Sequence, residues 1–396
     1  MKILCVFGEH AYGDPARGAG YEFTHFLPAF AQLGHQPVRF DSFSRSGHAS
    51  FAELNRAFLQ AVERHAPDLV FCVLMHYEIW LESIALVRRA GIPVVNWSTD
   101  DSWKYRQFSR LVADAFDLFA TTAPEALAWY ARDGITAAFG TQWAAASGLL
   151  QPPKPAADCV HKASFVGARY GNRGAIVDAL RAQGIEVACF GHGWPSGPVA
   201  AAEIGRIVRD SMVSLNFSEG SVGARQIKAR VFEVPAMGGL LLTEDAPFLG
   251  RYYRAGEEVA VFDGVDDLAR SIRRYETNPE ARDRVARAGF ERTKAEHTYE
   301  ARFAALLAEV ERRAPAPRRR GAVDWTAFDG AERRHRVGPG LRALRALLVA
   351  LCVPIWGRAR GPRAARRFLF ECAWRLAGRR TYTAAGSPGR LFYGES

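Results

Sequence analysis

The stretch "KASFVGARYGNRGAIVDALRAQG", residues 162–184, decides the fold. A short apolar run ends at Gly167. A loop follows, and a helical pattern then starts near Arg173. The glycines Gly167, Gly171 and Gly174 are spaced G-x-x-x-G-x-x-G, which is neither the dinucleotide fingerprint nor a Walker loop. A strand, a glycine-bearing loop and a helix in that order make one unit of a parallel α/β sheet. Free N–H groups at the helix start attract phosphate, and Arg169 and Arg173 would add charge. A tight turn carrying two solvated arginines fits the same letters.

The alternation extends both ways. Before it, "KILCVFG", "PDLVFCVLMH", "GIPVVNWSTDD" and "DLFATT" read as strands, with helical patterns such as "GYEFTHFLPAFAQLGH" and "ESIALVRRAG" between them. After it, "IEVACFGHGWP", "SMVSLNFSEG" and "GLLLTED" read as strands, and residues 266–313 as helices. With 396 residues the chain exceeds one ordinary core. The expectation is an α/β chain of two doubly wound domains, divided at the proline-rich "QPPKPAAD" (151–158): residues 1–150, residues 151–313, and a tail 314–396. Ligands of such sheets bind at the carboxyl ends of the strands, so a cleft between the domains is the expected site.

Composition narrows the class. Hydrophobic residues make up 48% and charged residues 24% of the chain, as in globular proteins. Six scattered cysteines without C-x-x-C fit reduced thiols of a cytoplasmic protein. The first residues read as a strand and not as a secretory signal, and no run of about 18 apolar residues suggests a spanning helix. The net charge of +10 resides in the tail: residues 312–396 hold 19 Arg and five acids. The basic balance therefore says nothing of nucleic acid for the globular part. Within the tail, residues 340–380 join an apolar run (Ala346 to Trp356) to many arginines. That pattern suits the interface of an anionic membrane, with packing on the body, oligomer contact or nucleic acid as the other readings.

Candidate chemistry collects at strand ends. In "FGHGWP", Gly191 lets a ligand approach the backbone and Trp194 offers a stacking face; a plain turn is the alternative. Glu219 follows the strand of "NFSEG". In "QIKARVFEVPAMGG" (226–239), helical spacing puts Gln226, Arg230, Glu233 and Met237 on one face, with a kink or early end at Pro235. An ordinary Arg230–Glu233 surface pair reads equally well. In the first half, His76, Asp100 and Asp101 stand where a base could take a proton from a hydroxyl, although either Asp could merely cap a helix. The sequence has no D-x-D, no G-x-S-x-G and no zinc-ligand spacing, so no metal or cofactor is expected.

From about 160 to 310 the order "SFVGARYGNRG", "CFGHGW", "SMVSLNFSEG", "KARVFEVPAMGGLLLTED" resembles the C-terminal domain of CgeB-like glycosyltransferases; "NWSTDDSW" and the N-terminal strand and helix resemble the first domain more loosely. The resemblance implies a GT-B fold and transfer of a sugar from a nucleotide-diphosphate donor to a hydroxyl acceptor. It puts Glu233 on the ribose and Glu219 near the donor sugar. Thirteen residues separate these acids, where relatives often have E-x7-E. It puts Arg225, Lys228 or Arg230, with Arg169 or Arg173, on the diphosphate. The competing classes are a nucleotide-binding oxidoreductase, disfavoured by the missing G-x-G-x-x-G, and a non-catalytic sugar-binding protein. The expected place is the cytoplasm, with peripheral contact on the inner membrane face.

Overall fold

The structure is a computed structural model that describes residues 1–219, 225–313 and 321–396. It contains two compact units, Met1–Thr141 with Ala305–Ser396, and Gln142–Ala304.

The first unit holds six parallel strands, β1 (Lys2–Phe7), β2 (Gln36–Asp41), β3 (Leu69–Cys72), β4 (Val94–Ser98), β5 (Leu118–Thr121) and β6 (Ala138–Gly140), in the order β2-β1-β3-β4-β5-β6. The residues of β1, β3, β4 and β5 are almost all buried, as expected of strands covered on both faces. Phe26 and Phe30, on the helix Tyr21–Gln32, reach zero exposure and pack edge-on against Phe71.

The second unit repeats the plan with β7 (His161–Val166), β8 (Val187–Phe190), β9 (Ser211–Asn216), β10 (Leu241–Glu244) and β11 (Ala260–Phe262), in the order β11-β10-β9-β7-β8. Each sheet reverses its winding once, between β1 and β3 and between β7 and β9. A crevice opens at the carboxyl ends of the strands where winding reverses, because the loops there leave in opposite directions.

Two expected segments take other roles. The proline-rich stretch 151–158 is pinned within the second unit. Arg282, with zero exposure, donates to the carbonyls of Lys154 (2.7 Å), Ser211 (2.9 Å) and Met212 (3.0 Å). The chain crosses between units earlier, at Thr141. The C-terminal segment, expected as a separate tail from 314, is built into the first unit's core. Phe328 stacks on Trp80 with ring centroids 6.1 Å apart, Phe370 lies 5.9 Å from Tyr77, and Tyr382 lies 5.4 Å from Phe108. The break at "APAPRRRG" falls almost wholly outside the described residues.

The segment's main element is the helix Pro339–Ala377, interrupted by Gly357 at φ 76°. A Cβ on Gly361 would lie 2.8 Å from the Val353 Cα. In a continuous helix these residues would be about 12 Å apart, so the chain doubles back and forms a hairpin of two arms. Counted through Tyr382, it is long and apolar enough to cross a membrane by length and composition, although the sequence shows no unbroken apolar run of that length.

Candidate functional site

The reversal point between β7 and β9 gathers most of the second unit's candidate residues. Gly167 and Gly191 let the loops after β7 and β8 touch. The Gly167 N–H donates to Phe190 O at 2.7 Å. Gly191 has φ +129°, and a Cβ there would sit 2.4 Å from Gly167 O. Only glycine fits that approach, because the obstructing atom is backbone. The Trp194 ring is not an open stacking face: it is 8% exposed, and its Nε1 donates to Gly167 O at 2.8 Å.

Three cations converge on this point. Arg173 opens the helix Arg173–Ala182, is buried, and donates to Ala168 O and to the Tyr170 hydroxyl, both at 2.8 Å. Its guanidinium lies 3.8 Å from the centre of the Tyr170 ring and 5.3 Å from that of Phe165. Arg230 lies on the Phe165 ring at 5.1 Å and reaches Asn216 Oδ1 at 3.4 Å. Lys228 donates to the carbonyls of Phe217 (2.9 Å) and Glu219 (2.6 Å).

Burial, more than net charge, sets the electrostatics here. Burial, then the charges of Arg173 and Arg230, pushes Lys228 down to about 7, against the opposing pull of Glu244 and Glu219. Burial also lowers Arg230, where Glu233 opposes and Arg173 adds to the shift. Burial lowers Arg173 as well. Cations held near one another and out of water are an anion site in waiting: an anion placed among them relieves their repulsion and replaces lost hydration.

The acids frame this cluster. Glu233 is half-buried on the helix Arg230–Ala236. Glu219 accepts from Asn172 Nδ2 at 2.8 Å. Glu244, at the end of β10, is buried and accepts the N–H groups of Ser218 (2.6 Å) and Glu219 (3.3 Å). Sequence reading passed over Glu244 as part of the strand in "LLLTED". Its only signal was an acid in the last position of a short buried strand. Arg169 and Arg225 stand at the rim. Arg169 is exposed, 3.6 Å from Asp178 and 5.4 Å from the Trp194 ring. Arg225 is exposed and lies 3.4 Å from Asp263.

The helix read from "QIKARVFEVPAMGG" is shorter than its spacing predicts. It begins at Arg230, not Gln226. The Gln226 N–H is drawn to Ser218 O at 3.1 Å and the Lys228 side chain to the β9 exit, so 226–228 run as a loop along that exit. Gln226 therefore leaves the expected stripe. Pro235 is tolerated one residue before the helix end, and Gly238, at φ +76°, turns the chain toward β10.

In the first unit, the exits of β3 and β4 hold the other candidates. His76 is half-buried against Phe370 (5.5 Å). Burial, then Lys104, Arg366, Arg45 and Arg367, pushes its imidazole well below the ordinary value, so it is neutral at pH 7. Asp100 pairs with Lys104 at 3.4 Å and does not cap the following helix with its side chain. Asp101 has an interior place: with zero exposure, it accepts from Ser98 Oγ (2.6 Å), the Tyr130 hydroxyl (2.7 Å) and Ser109 Oγ. A carboxylate so committed braces β4 to the helices beside it and offers no open face to a substrate. Glu22 was missed. It sits in the first turn of the helix after the Gly8–Gly20 loop, and burial, with Asp100 adding, raises its carboxyl above the usual range. An acid directly after a glycine-bearing loop was the available signal.

Residues 173–308 match the model of the glycosyl transferase-like family. No curated protein sequence matches the chain. Among solved structures, sucrose-phosphate synthase from Thermosynechococcus elongatus superposes with a TM-score of 0.57 at 12% identity, over 79% of this chain and 99% of that one. A glycosyltransferase from Rickettsia africae gives 0.56 at 10% identity, over 80% and 99%. Anabaena HepE, solved in complex with UDP, gives 0.54 at 13% identity, over 78% and 100%. Identities this low speak for the fold; the family match speaks for the second unit. Residues 173–308 thus match the glycosyl transferase-like family model, and the chain as a whole has the GT-B fold of the solved structures.

Proposed function

We propose that the second unit binds a nucleoside-diphosphate sugar, with its diphosphate among Arg173, Lys228 and Arg230, and that the first unit receives the acceptor hydroxyl. The observation that carries this reading is the gathering of three partly desolvated cations, Arg173, Lys228 and Arg230, at the β7/β9 reversal. In the transfer, the bond from the sugar C1 to the diphosphate oxygen breaks, and its electron pair stays on the diphosphate. Fixed cations stabilise that developing charge, and the guanidinium forks suit paired phosphate oxygens. A new bond joins C1 to the acceptor oxygen, whose proton must leave. His76 (neutral), Asp100 and Glu22 are the groups suited to take it; Asp101 is not. Glu233 contacts the ribose and Glu219 lies toward the sugar. The likeness to CgeB-like enzymes fits this reading. The enzyme works in the cytoplasm, with residues 340–380 against the inner face of an anionic membrane and a membrane-proximal glycan as product. No metal enters this scheme.

A panel of nucleoside diphosphates and their sugars tests the reading. At least one should raise the melting temperature and be hydrolysed or transferred slowly. Glu233→Lys should weaken that ligand by roughly 100-fold, as loss of a charged hydrogen bond plus new repulsion implies, with little change in ligand-free stability. A panel without any thermal shift, or a Glu233→Lys protein that loses stability and keeps affinity, returns these residues to a structural role.

Lys228 gives the site a pH signature. With its value at about 7, it is half neutral in the ligand-free protein, and a bound diphosphate recharges it. Binding should therefore take up protons between pH 7 and 8, and affinity should fall as pH rises through that range. The opposite sign holds for folding. The unfolded lysine titrates near 10.4, so between about 7 and 10 the unfolded chain binds more protons, and this group makes ligand-free stability rise with pH. Calorimetry in buffers of differing ionisation enthalpy reads the uptake. Lys228→Met should abolish it; equal uptake in the variant would assign it elsewhere.

A further inference from the structure

The hairpin Pro339–Ala377 has one face with no partner among the described residues. Its first arm packs Leu348 and Cys352 against Ala365, Leu391 and Phe392, and Arg345 is fixed by Glu395 (2.5 Å) and Leu391 O (2.8 Å). The opposite face of the same arm is exposed and apolar. Leu347 is 57%, Leu351 59%, Ile355 69% and Trp356 50% exposed. The spacing 347, 351, 355 keeps three of them in one row. From Ala346 to Gly357 the sequence has no charged residue. A water-facing helix surface normally alternates its polarity; this one is uniform over about 17 Å at 1.5 Å per residue.

Arginines bracket the stripe. Arg342 is exposed at its start, and Arg358 and Arg360 are exposed just past the Gly357 turn. The hairpin as a whole holds eight arginines and one acid, Glu371. This arrangement selects among geometries. A hairpin inserted tip first would carry Arg358 and Arg360 toward the middle of a hydrocarbon core about 30 Å thick, where arginine is strongly disfavoured. A spanning first arm would have to tear Leu348, Cys352 and Arg345 from their partners. An arm lying in the plane satisfies every group: the stripe enters the acyl boundary while the arginines at both ends stay among headgroups. A second copy of the chain is the other possible cover, but a two-fold contact through this face sets like-charged arginine clusters against each other. Anionic lipid complements them.

We infer that residues 343–356 form an in-plane anchor that buries Leu347, Leu351 and Ile355 in the interface of an anionic phospholipid membrane, without spanning it. The inference deepens the membrane contact proposed above and rests on that reading. The second arm meets the acceptor-side candidates: Phe370 contacts the His76 ring, and Arg366 lies 3.5 Å from the Tyr77 hydroxyl. Docking by the first arm therefore holds the β3 exit near the membrane surface.

The test uses the full chain in flotation with vesicles of phosphatidylcholine alone or mixed in equal parts with phosphatidylglycerol. The wild type should float with the anionic vesicles and be released by alkaline carbonate. Leu347→Glu with Leu351→Glu should reduce flotation by at least about 30-fold, since two leucines lose their burial. Melting temperature and nucleotide binding should stay unchanged, because both side chains already face solvent. Arg358→Glu with Arg360→Glu should reduce binding roughly 10-fold or more on anionic vesicles only. Absence of any wild-type flotation overturns the membrane reading itself. Undiminished flotation of the double leucine variant leaves that reading and overturns the anchor. Resistance to carbonate overturns the in-plane geometry. A wild-type dimer that the leucine substitutions make monomeric, with no flotation, assigns the face to self-association.

Discussion

Arg230→Met should weaken binding of the nucleoside diphosphate by about 30- to 4,000-fold while leaving the ligand-free protein as stable as the wild type, or more stable. The two halves have one cause. Arg230 is drawn partly out of water onto the Phe165 ring beside Arg173 and Lys228, and its hydrogen bond to Asn216 is long, at 3.4 Å. Without an anion, its charge costs stability chiefly through desolvation, with Glu233 opposing, and an apolar side chain of similar length removes that desolvation cost. With a diphosphate present, the same guanidinium makes charge-assisted bonds in a desolvated place, where truncating one partner typically costs about 2–5 kcal/mol. In catalysis the loss should fall mainly on kcat, because the negative charge grows as the leaving oxygen departs. Lys228 should also regain protonation in this variant, since one of its two repelling neighbours is gone, so the proton uptake on binding should diminish. Isothermal titration and thermal unfolding of the two proteins decide the matter. A variant that melts several degrees lower with unchanged affinity would make Arg230 a structural residue.

Asp101→Ala should cost about 2–4 kcal/mol of folding stability, since three buried hydroxyls lose their acceptor and each orphaned group carries about 1–3 kcal/mol, not fully additive. Three hydroxyls, on Ser98, Ser109 and Tyr130, lose their acceptor at a position with zero exposure. Each buried hydroxyl left without a partner carries its own desolvation penalty. Asp101→Asn should lie between, because one carboxylate oxygen becomes an amide that donates where a hydroxyl needs an acceptor. The adjacent Asp100→Asn should destabilise less than Asp101→Asn, since it perturbs one ion pair, to Lys104 at 3.4 Å. Residual activity in the Asp101 variants should follow the folded fraction, whereas Asp100→Asn should change kcat in a fully folded enzyme. Urea unfolding monitored alongside transfer separates these outcomes. Equal losses at the two positions would mean that the hydroxyl network does not hold β4 in place.

Neighbouring residues of similar letter thus have opposite fates, and the sequence could not say which. "NWSTDDSW" presents two acids at a strand end, and both read as possible bases. Burial of Asp101 depends on where Ser109 and Tyr130, eight and 29 residues later, return to it. The cations behaved likewise. Five were legible as phosphate ligands. Three converge, and two, Arg169 and Arg225, lie at the rim beside Asp178 and Asp263. Those acids come from other elements of the unit, so their proximity has no local signature. Glu244 and Glu22 escaped notice because neither stands in a pattern; their environments make them unusual.

What the sequence determined by itself was the alternation. Period, glycine placement and apolar strand runs dictated two parallel α/β sheets, since strands buried on both faces admit few other letters. It also marked the strand ends where chemistry collects and the excess of arginine after 312. Tertiary structure alone decided which charges meet, which acid is spent inside, and how the C-terminal segment is used. Phe328, Phe370 and Tyr382 enter the first unit's core, while Leu347, Leu351 and Ile355 stay in the open. Hydrophobicity is the same in both sets. Whether an apolar side chain finds a partner is a property of what packs beside it, and that is fixed only when distant parts of the chain come together.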